Sequence, residues 1–233
     1  MKLFLISIVS HGQNSLVNQL LRSFEKFIKV ENYNVIIVIT HNIDDPTQIV
    51  KIKNVKVVSK LNLTPRGFGA NHNHVFEIYN PDFFAIINPD IVLRSLCNID
   101  EICEVLYQNP GIYSPMVFEK NGLIADFRRK DLTLRNLLKR KFFRLREDIK
   151  FDWLAGMALL TKGDVFHALG GFDERFFMYV EDCDLCLRAR LHSFTIGVID
   201  NLEVVHDAQR NSRRNVRSFL MHITSLVKYW LKK

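Results

Sequence analysis

At 233 residues, with 48% apolar and 24% charged side chains, the chain suits one globular domain with a sizeable core. No apolar run approaches the roughly 18 residues of a membrane span, and the apolar start Leu3 to Val9 is too short for a secretory leader, so a cytoplasmic protein is expected. The net charge of +7 is localised: residues 127–150 hold ten Lys/Arg against three Asp/Glu, residues 210–233 hold seven against none, and the remainder carries −7. That distribution points to a localised anionic partner. It does not point to nucleic acid, since no helix-turn-helix, zinc-finger spacing or RNA-binding aromatic signature occurs.

The near-continuous apolar run Leu3 to Val9 predicts a strand buried on both faces. Asn14-Ser15 can cap a helix whose Val17, Leu20, Leu21, Phe24 and Ile28 recur at helical spacing. Asn34 to Thr40 reads as a second buried strand and Val55 to Ser59 as a short third. Gly67 to Asn71 is a small-residue turn into a helix ending near Tyr79, and Asp82 to Asn88 is a fourth strand. Strands alternating with helices imply a mostly parallel central sheet flanked by helices, an α/β fold. Ligands of such sheets bind beyond the carboxyl ends of the strands, which sets Ser10-His11, Thr40-His41-Asn42 and Asn88-Pro89-Asp90 on one rim.

The second half is more mixed. Asp152 to Thr161 reads as a turn then a strand, Val180 to Leu191 as a helix, and residues 194–206 as a short strand pair ending at His206. From Arg214 onward Val216, Phe219, Leu220, Ile223, Val227, Trp230 and Leu231 recur at helical spacing and predict a C-terminal amphipathic helix. The four cysteines (Cys97, Cys103, Cys183, Cys186) fit a reducing compartment. Cys183 and Cys186 form a single CxxC with no second pair, so buried free thiols are expected. The expected organisation is one domain: a nucleotide-binding half at 1–95, an acceptor and catalytic half at 96–210, and the basic helix at 211–233.

Four features carry chemistry. Asp90, just past a buried strand, is placed to bind a divalent cation, although Asn-Pro-Asp is also an ordinary turn. Gly67-Phe-Gly-Ala-Asn-His-Asn73 lets a ligand or a neighbouring backbone approach closely and offers amides. Between Gly170 and Arg188 five carboxylates, Asp173, Glu174, Glu181, Asp182 and Asp184, alternate with large apolar groups. Acids held near a buried wall acquire shifted pKa values and suit proton abstraction or metal binding. His206 closes the second-half strands.

In this order and spacing the features resemble family 2 glycosyltransferases, in the rhamnosyltransferase-like branch. Gly170-Gly-Phe-Asp-Glu174 and Glu181-Asp-Cys-Asp-Leu-Cys-Leu-Arg188 are the most specific segments, and the resemblance runs from Lys2 to about Ser212. It implies a GT-A fold (Rossmann-like) and metal-dependent, inverting transfer of a sugar from a nucleotide-diphosphate donor. By the same resemblance Ser10, His11, Asn42, Gly67 and Asn71 line the nucleotide and donor. Asn88-Pro89-Asp90 matches the family's DxD motif, with Asn88 departing at its first acidic position. Asp182 matches the base and Glu181 its neighbour. Asp90 and His206 match a Mg²⁺ or Mn²⁺ site, while Asp152, Trp153, Gly156 and Arg188 match the acceptor side.

The resemblance favours dTDP-rhamnose as donor, with uridine-diphosphate sugars as the other choice. A glycan or a lipid-diphosphate-linked acceptor in bacterial surface polysaccharide (O-antigen or capsule) synthesis is expected. The two basic segments suit an anionic membrane surface, reached peripherally from the inner face; equally, their apolar residues could pack on the domain. The alternatives are an inactive nucleotide-sugar-binding protein or a nucleotidyltransferase on a similar scaffold. The latter would carry a cation in the loop after the first strand, where Ser10-His11-Gly12-Gln13 stands.

Overall fold

A computed structural model of the chain describes residues 1–43, 50–133, 135–136, 150–207 and 216–232. Its first half runs β1 (Leu3–Ser10), α1 (Asn14–Phe27), β2 (Ile28–Lys29), β3 (Asn34–His41), β4 (Val55–Leu61), α2 (Phe68–Tyr79), β5 (Phe83–Ile87) and β6 (Ile91–Leu93). There follow β7 (Cys97–Asn98), α3 (Ile99–Gln108), β8 (Gly111–Glu119), β9 (Arg128–Arg129), β10 (Trp153–Leu154) and β11 (Ala158–Lys162). The described chain ends with α4 (Gly163–Ala168), α5 (Glu181–Leu191), β12 (Thr195–His206) and α6 (Val216–Lys232).

The uninterrupted apolar runs become the centre of an eight-stranded sheet, ordered β4-β3-β1-β5-β11-β8-β12-β6. β4, β3, β1 and β5 are mutually parallel. Every residue of β5 is buried, as are all but the first of β3, which is the burial expected of strands covered on both faces. β11 then runs antiparallel to both β5 and β8, and β6 antiparallel to β12, so the sheet is parallel in its first half and mixed in its second. Strands from both halves of the chain therefore share one sheet and one apolar core.

Two expectations are corrected. Residues 195–206 form one twelve-residue strand, parallel to β8 on either side of a register shift between Ile199 and Glu203, instead of a strand pair. The strand carries its irregularity at residues 200–202, which have no partner in the β8 ladder. At α1 the cap is Gln13 without a side-chain bond, and the Asn14 amide lies buried with neither polar atom hydrogen-bonded among the described residues. The cysteines are free and buried, as the spacing implies. Of the basic segment at 127–150, Leu134, Leu137, Leu138, Phe142 and Phe143 lie outside the described residues.

Candidate active site

The parallel strands end on one rim. β1 and β3 finish in register, Ser10 opposite His41, with Asn42 just beyond, and Asn42 N–H donates to the Ser10 carbonyl at 2.8 Å. Ser10 is fully buried; its Oγ accepts from Gln13 N–H at 3.1 Å and shapes the turn into α1, while His11 is exposed on the rim. The Asn88–Asp90 turn follows β5. Sequence order alone would not bring His206 here. The β12–β6 ladder does, pairing His206 with Ile91 and letting Asp207 N–H donate to the Asp90 carbonyl at 2.7 Å.

His206 Nε2 consequently lies 3.2 Å from Asp90 Oδ2, and Asp90 Oδ1 is buried with no hydrogen-bond partner among the described residues. An orphaned carboxylate oxygen beside an imidazole is a donor set that fits a Mg²⁺ or, better, a Mn²⁺ ion. Among the described residues no cluster of three or more His, Cys, Asp or Glu is gathered, and Asp90 and His206 are the two that would hold such an ion.

The Gly67–Asn73 segment behaves differently from its sequence reading. Asn42 Oδ1 accepts from Asn62 Nδ2 (2.8 Å), Arg66 N (3.0 Å) and Asn71 Nδ2 (3.2 Å), and Asn42 Nδ2 donates to the Arg66 carbonyl at 2.9 Å. Asn71 donates also to the Gly67 carbonyl at 2.9 Å and accepts from Asn62 at 2.7 Å. Both amides thus brace the 62–67 loop. The glycines are needed for contact with the second half. A Cβ on Gly67 would stand 2.8 Å from the Phe177 carbonyl oxygen, and one on Gly69 2.5 Å from the Phe172 Cβ.

Asn73 completes this contact. Its Nδ2 donates to the Phe172 carbonyl and its Oδ1 accepts from Phe172 N–H, each at 2.9 Å, so one side chain pairs with the backbone as a strand would. Gly171 accepts the approach at φ +66, where a side chain would strike the same amide at 2.5 Å. The Gly67–Asn73 and Gly170–Glu174 motifs are therefore two sides of one joint.

Beyond that joint the chain turns sharply into α5. Tyr179 and Val180 both take left-handed backbone conformations, at φ 70 and 74. For a β-branched valine this is strained, at about 1–3 kcal/mol. Such strain persists only where the surroundings enforce it, and it immediately precedes the acidic pair. Asp182 Oδ2 accepts from Gly156 N–H at 2.7 Å and Oδ1 from Cys183 N–H at 2.8 Å. Burial raises the Asp182 pKa above the ordinary carboxylate value, against the pull of the Gly156 N–H and the Arg129 guanidinium. Glu181 is 6% exposed with an unpartnered Oε2, and burial, then the charge of Asp182, push its pKa well up. Asp182 retains partial access to solvent and Glu181 does not.

One backbone step joins the two sides of the cleft. Gly156 holds Asp182, and the next residue, Met157, accepts from Asn88 N–H at 2.9 Å at the start of the Asp90 turn. Trp153 is buried behind this step, its Nε1 donating to the Lys130 carbonyl at 2.7 Å and the Arg129 guanidinium lying 5.0 Å from its ring centre.

Arg188 and Asp152, expected on the acceptor side, are each paired within the protein. Arg188 Nε bonds Asp184 Oδ2 at 2.8 Å and its other end reaches the Leu169 carbonyl. Asp152 Oδ2 accepts from Asp131 N–H at 2.9 Å while Oδ1 faces Arg190 at 3.6 Å. Arg129 and the C-terminal Lys232 are the residues that sequence reasoning missed. Lys232 Nζ reaches Asp173 at 2.9 Å and the fully buried Asp184 at 2.6 Å, a meeting of residues 48 and more positions apart that no local pattern signals.

No protein-family model matches the chain. Among curated proteins it is 25% identical to rhamnosyltransferase WbbL of Escherichia coli (strain K12), over 98% of this chain and 92% of that protein. It is 38% identical over 68 residues to the N-acetylglucosaminyl-diphospho-decaprenol L-rhamnosyltransferase of Mycobacterium tuberculosis (strain CDC 1551 / Oshkosh), a match to 29% of this chain and 22% of the relative. Among solved structures, GalNAc-T7 with UDP, GalNAc and Mn²⁺ superposes at a TM-score of 0.65 and 14% identity. That alignment covers 88% of this chain but 43% of the solved one, and the likeness is one of fold.

Proposed function

We propose that this chain, a rhamnosyltransferase-like glycosyltransferase of family 2 with the GT-A fold, moves a hexose from a nucleotide-diphosphate donor to a glycan or lipid-diphosphate-linked acceptor. The reaction serves bacterial surface polysaccharide synthesis, rhamnose is the favoured sugar, and the anomeric configuration inverts. Residues 1–233 work as one domain, peripheral to an anionic membrane at its inner face.

The observation that carries this reading is Asp182, ionisable, partly accessible and held by the N–H groups of Gly156 and Cys183, where Met157 beside Gly156 accepts from Asn88 at the start of the Asp90 turn. Asp182 takes the acceptor hydroxyl proton as that oxygen bonds to the anomeric carbon and the bond from that carbon to the diphosphate breaks. A base with a raised pKa suits this step, because proton transfer works best when the base's pKa approaches the working pH. Held by Asp90 and His206, Mg²⁺ or Mn²⁺ would neutralise charge on the departing diphosphate. Ser10 and His11 border the nucleotide on the rim, Trp153 and Gly156 form the wall beside the sugar, and Asn42 and Asn71 act through the loop they brace.

The test is release of nucleoside diphosphate from a panel of nucleotide sugars, with Mn²⁺ and polyprenyl-diphosphate-sugar acceptors. Turnover with one donor and its loss in Asp182→Asn are expected. Tight donor binding without turnover across the whole panel would replace transfer by simple nucleotide-sugar binding.

A further inference from the structure

Between the Gly170–Glu174 turn and α5 the chain passes through the left-handed pair Tyr179 and Val180, and one face of α6 lines this passage. His222, Ser225, Tyr229 and Lys232 recur at spacings of three, four and three, so they share that face. The His222 ring centre lies 5.1 Å from that of Tyr179, and Ser225 Oγ donates to the Met178 carbonyl at 2.8 Å. Lys228 Nζ donates to the Arg175 carbonyl at 2.8 Å, and Tyr229 OH to Asp131 at 2.8 Å, beside the Cys183 thiol. Lys232 Nζ then reaches both ends of the passage, Asp173 Oδ2 at 2.9 Å and Asp184 Oδ1 at 2.6 Å. It lies 6.0 Å from the centre of the buried Phe176 ring between them.

Neither carboxylate needs Lys232 for charge balance. Arg175 holds Asp173 with two bonds, Nε to Oδ1 at 2.9 Å and Nη2 to Oδ2 at 2.6 Å, and Arg188 Nε holds the buried Asp184 at 2.8 Å. Both of those partners are local, two and four positions along the chain. What Lys232 adds is a link between residues 173 and 184, on either side of the strained turn, which no local pair can make. Asp184 stands two positions after Asp182, about 200° round the helix. Asp182 therefore ties one side of the first turn of α5 to Gly156, and Asp184 ties the other side to α6. A turn tethered on opposite sides is fixed against rotation, and backbone strain persists only where the surroundings enforce it. We infer that Lys232 is a positioning residue of the transfer reaction: by bridging Asp173 and Asp184 it holds the first turn of α5 so that the Asp182 carboxylate stays on the Gly156 N–H. The inference rests on the proposed role of Asp182 and adds to it the group that aims the base.

Lys232→Met removes the ammonium but leaves Arg188 on Asp184 and Arg175 on Asp173, so the variant should fold. Two readings on the full chain test the inference. Amide hydrogen exchange followed by NMR reads the geometry without any substrate: the Gly156 N–H should exchange roughly tenfold or more faster in the variant, with the β5 amides unchanged. Steady-state kinetics, with the donor that wild type turns over, should show kcat lowered about 10–100-fold and the donor KM within roughly twofold of wild type. Lys232→Arg should restore most of the lost kcat. Should Lys232→Met fail to fold, Lys232→Gln, which keeps a donor without the charge, provides both readings. Wild-type exchange at Gly156 would overturn the inference, and so would an acceleration shared by β5, which is general destabilisation. An unchanged kcat in the variant of an active wild type would overturn it too. Faster Gly156 exchange together with no wild-type turnover would instead sink the transfer reading while upholding the hold of Lys232 on Asp182, so the two failures are distinguishable.

Discussion

Two adjacent buried carboxylates, both with raised pKa values, give the residue scale its sharpest consequence. Burial, then the charge of Asp182, pushes the Glu181 carboxyl well up, and burial raises Asp182 as well, while two backbone N–H groups favour its ionised form. Asp182→Asn should therefore lower kcat by about 10²–10⁴-fold with little change in melting temperature. Glu181→Gln, which leaves Asp182 and the two N–H groups that hold it in place, should hold kcat within roughly tenfold of wild type. Equal losses in the two variants would show that the roles cannot be divided this way. The sign of the pH dependence follows. The base is active only when ionised, and burial raises Asp182 above its ordinary value. The acid limb of kcat/KM should thus lie above the ordinary aspartate range near pH 4, with activity lost as pH falls through the raised pKa. A limb at or below pH 4 would remove burial from the account.

At the scale of elements, the joint between α2 and the Gly170–Glu174 turn is held by Asn73. Asn73→Ala leaves the Phe172 N–H and carbonyl buried without partners, and should cost about 2–4 kcal/mol, read as a lower denaturation midpoint at unchanged slope. A loss below about 0.5 kcal/mol would mean that water replaces the amide. The Gly67–Asn73 motif was legible as a close approach, and of its two readings the structure shows the chain's own Phe177 and Phe172 at Gly67 and Gly69; glycine spacing reports room without reporting who fills it. Arg188 reads from the sequence as a supporting residue as well as an acceptor-side candidate, and its pairing with the buried Asp184 fits the former. The parallel strands were legible because a strand buried on both faces must be apolar throughout. The long β12 was not, since an Asp-Asn step in an irregular strand and in a hairpin turn look alike.

On the scale of the whole molecule, the two halves are joined by the shared sheet and by the packing of the buried His72 of the first half against Phe172 of the second. Ser7 Oγ on β1 lies 2.8 Å from His72 Nδ1 on α2, and the imidazole is packed between Phe68 and, from the second half, Phe172. His72 is fully buried, its Nε2 has no partner among the described residues, and burial lowers its pKa from 6.5 to about 3. The unfolded chain binds this proton below about pH 6.5 and the folded chain does not until about pH 3. Stability from this group is therefore present above pH 6.5 and lost progressively as pH falls, at roughly 1.4 kcal/mol per pH unit. Between pH 7 and pH 5 the loss should be about 2 kcal/mol. The raised carboxylates Glu181 and Asp182 act in the opposite sense, since their folded forms bind protons earlier, so the total slope mixes both. Comparison with His72→Gln isolates the histidine: denaturant unfolding at pH 7 and pH 5 should show a drop smaller by about 2 kcal/mol in the variant. Ser7→Ala, which keeps the imidazole, should retain the wild-type drop. The same drop in His72→Gln as in wild type would place the titrating group elsewhere in the core.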